Sequence, residues 1–354
     1  MISKLLNFCS WNIQGYNSQV VGNKFEDKEF LKTFEKMDFI GITETHMHTE
    51  VLDKMSIPGF HRLDTKNQVK NEKSHKAPKG IAVFVKENLT DMFTVEKMNN
   101  DDAIWVKIKK EKSGESKDIF VGTVYLNPSS KSAGADQKIS KLADNIISLK
   151  EKGEVIIIGD LNARTGNLED TINPDKSDEM FDLSFSDPPP KRNSRDIETD
   201  RRGLDLIELC KSVDLQIANG RKTGDIFGDF TCIKYNGNSV VDYLITSSNI
   251  FKNIPCFKVG EFFPWLSDHC PVFFTLEVRD MEETSPEKSA NTKAPKQYTW
   301  TEESKNSYLA MISGAEFEKK LDKSVEVDHS DPNLLVNYVT NILVEAADKA
   351  KVKF

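Results

Sequence analysis

An α/β protein of two β-sheets packed face to face, with helices outside, is the fold class this sequence predicts. Three observations carry the prediction: strand-like runs far outnumber helical periods, one run is apolar throughout, and several runs end in polar residues. Strand-like runs fall at 6–12, 39–43, 80–85, 104–108, 119–125, 155–158, 230–234, 240–246 and 272–278. The run at 155–158 is unbroken Val-Ile-Ile-Ile, as a strand buried on both faces requires. Helical spacing recurs in Phe30, Leu31, Phe34 and Met37, in Ile139, Leu142, Ile146 and Leu149, and in Leu206, Ile207, Cys210 and Val213. No internal repeat is evident.

Two stretches break this alternation. Residues 167–202 carry Pro174, Pro188, Pro189 and Pro190 among many charges with no apolar period, and read as a long surface excursion. Residues 280–298 have the Glu, Ser, Lys and Pro content of a linker. The expected organisation is a domain at 1–279, a linker at 280–298 and a helical tail at 299–354. In the tail, Asp331 and Pro332 form a helix start, and Leu334, Leu335, Tyr338, Val339, Ile342, Leu343 and Ala346 form an apolar stripe.

Composition limits what the polar strand ends can be. A chain of 354 residues with 38% apolar content buries one large core or two modest ones. Its longest apolar runs fall well short of the roughly 18 residues of a membrane span, and residues 1–10 lack the apolar stretch of a secretory signal. No membrane partner is expected, and the protein is expected to be intracellular. The five cysteines, Cys9, Cys210, Cys232, Cys256 and Cys270, are odd in number and scattered, with no C-x-x-C pair, so reduced thiols are expected and a zinc site is not. A formal charge of -8 argues against a protein coated in nucleic acid. Local basic groups remain at Lys66, Lys70, Lys73, Lys76 and Lys79 and at Lys191, Arg192, Arg195, Arg201 and Arg202. Each group reads equally well as a phosphate-facing patch and as solvated loop charge.

The strand ends carry Asn12, Glu44, Tyr125, Asn127, Asp160, Asn162, Asp242, Asp268 and His269. Gly159 lets the backbone turn closely before Asp160 and Asn162 project two residues apart. Clustered carboxylates repel one another unless a cation neutralises them, and oxygen donors without thiol or paired histidines select Mg2+, with Mn2+ as its substitute. Glu44 would be the main ligand. An Asp242–His269 pair would present a hydrogen-bond donor to a phosphoryl oxygen, leaving Asp160 to orient or deprotonate water. The ensemble describes hydrolysis of a phosphate ester. His46 and His48, one residue apart, have no third ligand spacing beside them and are not read as a metal pair.

The order Asn12, Glu44, Tyr125, Asp160-x-Asn162, Asp242 and Ser267-Asp268-His269 resembles the endonuclease/exonuclease/phosphatase superfamily over roughly residues 5–278. The resemblance implies a four-layer α/β sandwich. It places Asn12, Glu44 and Asp268 at a metal and Tyr125 on phosphate. Asp160 and Asn162 are placed at the nucleophilic water and the developing charge, with Asp242 orienting His269. Asn127, Arg164 and Ser267 are expected to touch substrate. Within the superfamily the chain is most similar to the endonuclease domain of LINE-type (non-LTR) retrotransposons. That similarity is carried by Gly-Ile-Thr-Glu-Thr-His at 41–46, Gly-Asp-Leu-Asn-Ala-Arg-Thr-Gly at 159–166, Arg202-Gly203-Leu204, 215–219 and Ser267-Asp268-His269-Cys270-Pro271. It implies a Mg2+-dependent nuclease that nicks duplex DNA for target-primed reverse transcription, acting in the nucleus, with a reverse transcriptase domain downstream in the same polyprotein. Two departures stand out: Thr43 replaces the glutamine that many relatives carry, and Ser239-Val240-Val241 lacks the tryptophan that lines the abasic-sugar pocket of AP endonucleases. Two other readings stay open: a phosphohydrolase of phosphoinositide or sphingomyelin, and an inactive module that binds nucleic acid or a partner.

Overall fold

The computed structural model describes residues 3–66, 80–128, 137–171, 190–279 and 302–322, with Tyr338, Ile342, Leu343, Glu345, Ala346, Lys349 and Ala350. The lysines from Lys70 to Lys79, the middle of the proline-rich excursion and the 280–298 linker lie outside the described residues, as do Asp331, Pro332, Leu334, Leu335 and Val339 in the tail. The chain divides into two compact units, 1–283 and 284–354.

The first unit contains two six-stranded sheets. One runs β15 (Cys256–Val259), β16 (Val272–Arg279), β1 (Ser3–Asn12), β4 (Phe39–Thr43), β6 (Ile81–Lys86) and β5 (Phe60–Lys66), the numbers following chain order. The other runs β11 (Leu215–Ile217), β14 (Asp242–Ser247), β10 (Gly153–Asp160), β9 (Asp118–Tyr125), β8 (Ala103–Ile108) and β7 (Phe93–Glu96). The run expected at 230–234 joins neither sheet: β12 (Cys232–Lys234) pairs only with β13 (Gly237–Ser239), as β2 (Asn17–Ser18) does with β3 (Gly22–Asn23). Helices α3 (Gln137–Lys150) and α4 (Arg201–Ser212) coincide with two of the sequence periods, α1 (Lys28–Lys32) covers Phe30 and Leu31 but ends before Phe34 and Met37, and α2 (Lys110–Ser113) and α5 (Ser248–Phe251) are single turns.

Period-two alternation sorts the apolar side chains into layers. Phe8, Val83, Val106, Val121, Ile156, Leu244 and Phe274 fill the space between the sheets. On the outer face of the second sheet, Trp105, Ile157 and Tyr243 meet Leu142 and Ile146 of α3 and Leu206 and Cys210 of α4. On the outer face of the first, Trp11, Ile40 and Phe84 meet Phe30 of α1 and Phe34, with Trp11 stacked on Phe30 at 5.3 Å between ring centroids. The result is the expected four-layer α/β sandwich.

Two devices hold this frame near its polar end. Gly159 sits at φ +131°, where a Cβ would also run into the carbonyl oxygen of Val124. Gly159→Ala is therefore expected to cost about 3 kcal/mol, read as a lowered urea midpoint with an unchanged slope. Asp170 and Arg221 form a buried two-pronged ion pair at 2.7 Å on each arm, and Asp170 also accepts the Ile217 N–H at 2.6 Å. Removing one partner strands the other's charge, so Asp170→Ala is expected to destabilise by about 3–5 kcal/mol, seen as a fall in Tm.

In the second unit, α6 (Glu302–Ile312) leads into α7 (Ala315–Asp322). Tyr338 donates its hydroxyl to the Lys320 carbonyl at 3.2 Å, Lys320 pairs with Glu345 at 2.8 Å, and Ile342, Ala346 and Ala350 are buried. No helix among the described residues is long and apolar enough to cross a membrane.

Candidate active site

The inter-sheet alternation turns polar at one end of the sandwich. Leu6 and Phe8 are followed on the same face of β1 by Ser10 and Asn12, and Ile156 and Ile158 of β10 by Asp160. Register then lines up neighbours: Asp160 pairs with Tyr125 of parallel β9 on one side and with Asp242 of antiparallel β14 on the other. In the first sheet Asn12 pairs with Thr43, and Glu44 follows at φ +52°. Antiparallel β16 starts at this same end, so the loop holding Ser267, Asp268 and His269 arrives there too. Parallel strands ending and antiparallel strands beginning at one edge thus gather residues more than 250 positions apart.

Asn12 ties the carboxylates together, its Nδ2 donating to Glu44 Oε1 and Asp160 Oδ2, both at 2.9 Å. Its Oδ1 accepts the Gln14 N–H at 3.0 Å. Glu44 Oε2 lies 3.3 Å from His46 Nε2, and Glu44 also accepts the Tyr125 hydroxyl. Burial pushes the Glu44 acid up, but the donors His46, Tyr125 and Asn12 outweigh it and hold the group at about 2. Tyr125 is driven the other way, well above the usual phenol, by burial and by the Glu44 charge, and stays a donor.

Asp160 is fully buried and takes three N–H groups: Oδ1 from Asn162 N at 2.8 Å, Oδ2 from Asn12 and from Asn162 Nδ2 at 3.0 Å. Asn162, at φ +45°, spends its other amide hydrogen on the Leu126 carbonyl at 2.9 Å, so its side chain positions Asp160. Burial, then the Asp242 charge, push the Asp160 acid up to about 7 against the pull of His269, Asn12 and Asn162. That excess negative charge is what a cation would relieve.

His269 Nδ1 meets Asp242 Oδ2 at 2.8 Å, and its Nε2 stands 3.9 Å from both Asp160 Oδ2 and Asp268 Oδ1. Burial favours the neutral ring, but Asp242 more than offsets it and lifts the imidazole well above its usual value. Asp242 is fixed in turn by Thr231 Oγ1 on its N–H and Asn219 Nδ2 on its carbonyl, each at 3.0 Å. The histidine loop is stapled to β1: Trp11 Nε1 donates to the His269 carbonyl at 2.8 Å, and Ser267 Oγ donates to the Asn12 carbonyl at 2.7 Å while accepting the His269 N–H at 3.1 Å.

Of the residues expected to touch substrate, Ser267 has its hydroxyl committed to this staple. Arg164 is held by Asp196, Nε to Oδ2 at 2.9 Å and Nη2 to Oδ1 at 2.5 Å, with its side chain still one-third exposed. Asn127 gives its carbonyl to Arg202 Nη1 at 2.6 Å, and its buried Oδ1 has no hydrogen-bond partner among the described residues. His46 and His48 do not converge: His46 faces Glu44, whereas the His48 Nδ1 is buried with no hydrogen-bond partner among the described residues.

Sequence reading passed over several residues. Lys24 is buried and donates its ammonium to the Ile13 carbonyl; burial lowers it to about 8 although Asp268 and Glu44 pull it up. Lys234 reaches Asp268 Oδ2 at 3.3 Å. Within the second basic group, Arg192 and Arg202 are interior: Arg192 binds the Leu168 carbonyl at 2.7 Å, and Arg202 sits beneath the Asn127 and Asn162 carbonyls. Nothing in the local sequence marks Lys24 or Lys234; the quoted Arg202-Gly203-Leu204 stretch does mark Arg202.

Residues 119–273 match the family model described as endonuclease-reverse transcriptase. No curated protein matches the chain in sequence. Among solved structures, the AP endonuclease LMAP from Leishmania major superposes with a TM-score of 0.54 at 13% identity, covering 78% of this chain and 89% of that one. The catalytic domain of Xenopus laevis APE2 gives 0.53 at 16% identity, covering 78% and 94%. The endonuclease domain of TRAS1, a telomere-specific non-LTR retrotransposon, gives 0.49 at 15% identity, covering 77% and 98%.

Proposed function

From a chain that resembles the endonuclease/exonuclease/phosphatase superfamily, with a central segment like that of LINE-type endonucleases, we propose a Mg2+-dependent endonuclease that nicks duplex DNA. The observation that carries the reading is the buried meeting of Asp160 with the Asp242–His269 pair beside Glu44 at one end of the inter-sheet core. The nuclease domain would be 1–279, joined through a linker at 280–298 to a helical tail at 299–354.

The hard oxygen donors of Glu44, Asp268 and Asn12 suit a divalent cation, Mg2+ or Mn2+. Glu44, already ionised to low pH, would hold it with Asp268, and Asn12 would join through the second lone pair of its Oδ1. Bound there, the cation would neutralise phosphoryl charge. The protein's own groups do the rest. Asp242 fixes the His269 ring so that its Nε2–H faces a phosphoryl oxygen as negative charge builds. Asp160, aimed by Asn12 and Asn162, accepts the proton of the attacking water. Tyr125 keeps its proton and donates, Asn127 and Arg164 border the substrate side, and Ser267 holds the histidine loop in place.

Cleavage in this sense leaves a 3′-hydroxyl, the primer that target-primed reverse transcription needs; a reverse transcriptase domain in the same polyprotein and nuclear action would follow from that role. The end chemistry tests it. Nicked plasmid should be extended by a DNA polymerase without prior phosphatase treatment, and nicks that require removal of a 3′-phosphate contradict the proposal.

A further inference from the structure

The hairpin β12–β13 belongs to neither sheet, yet it brings a thiol against the catalytic histidine. Backbone bonds lace the two segments: Ile233 N to the Asp268 carbonyl at 2.8 Å, Cys270 N to the Thr231 carbonyl at 2.8 Å, and a bridge between Cys232 and His269. Cys232 is buried, and ligand atoms of Cys232, Asp268 and His269 all lie within 4.8 Å of one another.

We propose that Cys232 Sγ, His269 Nε2 and Asp268 Oδ1 form a site for Zn2+ that shuts the hydrolytic centre when filled. The donor set is the first argument. One sulfur, one imidazole nitrogen and one carboxylate oxygen suit zinc, whereas Mg2+ takes oxygen and has no use for a thiol. Spacing is the second. Bonds of about 2.0–2.3 Å to a tetrahedral zinc put neighbouring donors about 3.3–3.8 Å apart, so donors 3.9 Å apart for Nε2 and Oδ1, and within 4.8 Å for the set, need only side-chain adjustment. Orientation is the third. A zinc-bound histidine usually gives its other ring nitrogen to a carboxylate, and Asp242 already takes Nδ1 at 2.8 Å. The Asp268 side chain is 21% exposed, which leaves the entry side and a fourth position to water.

Binding displaces the thiol proton and any proton on Nε2 to solvent, with no change of oxidation state. Lys234, 3.3 Å from Asp268 Oδ2, stays on the other carboxylate oxygen. A ligated Nε2 has no proton to donate, so the same event that fills the site removes the donor to phosphate. The blocking of hydrolysis rests on the function proposed above; the binding of metal does not.

Co2+ serves as the visible probe, added to the full chain without Mg2+ or DNA. The wild-type protein and the Cys256→Ser control should both show a thiolate-to-cobalt charge-transfer band that Cys232→Ser and Cys232→Ala lack. In plasmid nicking at fixed Mg2+, Cys232→Ser should keep the wild-type rate and need about tenfold or more Zn2+ for half-inhibition. No band in the wild-type protein, a band that survives in both Cys232 variants, or equal Zn2+ sensitivity would each overturn the site. A Cys232-dependent band in a chain that never nicks DNA upholds the metal site and defeats the nuclease reading instead.

Discussion

His269→Ala is expected to lower the rate of plasmid nicking by about 100- to 1,000-fold at saturating Mg2+ while leaving DNA affinity within a few-fold of wild type. The ring is the hydrogen-bond donor set between Asp242, Asp160 and Asp268, and no other imidazole among the described residues approaches Asp242. A partner variant separates charge from packing. Asp242→Asn keeps the shape but removes the carboxylate that lifts His269, so burial is left to lower the imidazole. The sign follows: the wild-type cation is lost as pH rises through a raised value, whereas in Asp242→Asn that loss comes at lower pH. The alkaline limb of the nicking profile should therefore move to lower pH. An unmoved limb would show that the histidine does not act as a cationic donor.

Asp160→Asn is expected to cost about 100- to 10,000-fold in turnover, the range for losing a positioned proton acceptor. It should also destabilise the fold slightly. The carboxylate accepts from Asn162 N, Asn162 Nδ2 and Asn12 Nδ2, and an amide has one oxygen to offer them, so at least one donor loses its acceptor at about 1–3 kcal/mol. Asn162→Ala makes a useful contrast. It leaves the carboxylate but loosens its aim, and should reduce turnover less than Asp160→Asn does. Turnover and Tm measured on the same preparations distinguish the two effects, and an Asp160→Asn protein that nicks at the wild-type rate would remove this residue from the chemistry.

The layered frame was legible because its central strands are buried on both faces. Strands β1, β4, β6, β8, β9, β10, β14 and β16 announce themselves as apolar or alternating runs, and all lie inside the two sheets. Within the two large sheets, the four strands that sequence did not reveal, β5, β7, β11 and β15, are the four edges. An edge strand pairs on one side only and here is short or partly exposed, so its composition carries little signal. The run at 230–234 misled for a related reason: Phe230, Cys232 and Ile233 look like sheet residues, but Cys232–Lys234 pairs only in a two-stranded hairpin, with Cys232 bridged to His269.

The candidate site was legible as a set of strand-end residues and not as a set of contacts. Sequence order placed Asp160, Asp242 and His269 on one team, but only the register Tyr125–Asp160–Asp242 across three strands explains why they touch. Lys24 and Lys234, which reach in from a short turn and a hairpin, gave no sign. The buried Lys24 follows Asn23, whose side chain caps a short turn, and a lysine at such a place normally points to water. The basic group that holds Arg192 and Arg202 reads equally well as a phosphate-facing patch and as solvated charge; here both guanidiniums satisfy backbone carbonyls. Cysteine spacing also said little, since Cys232 approaches His269 and Asp268 through an isolated backbone bridge between loops, not through any sequence motif.

Conversion of supercoiled plasmid to the open circle by the full chain tests the central claim most directly. The wild-type protein should nick with Mg2+ and stop on addition of a chelator, and an Asp160→Asn, His269→Ala double variant of unchanged fold should be inactive under the same conditions. Nicking that persists in the double variant, or wild-type protein that binds DNA yet leaves it intact with both Mg2+ and Mn2+, would contradict the account.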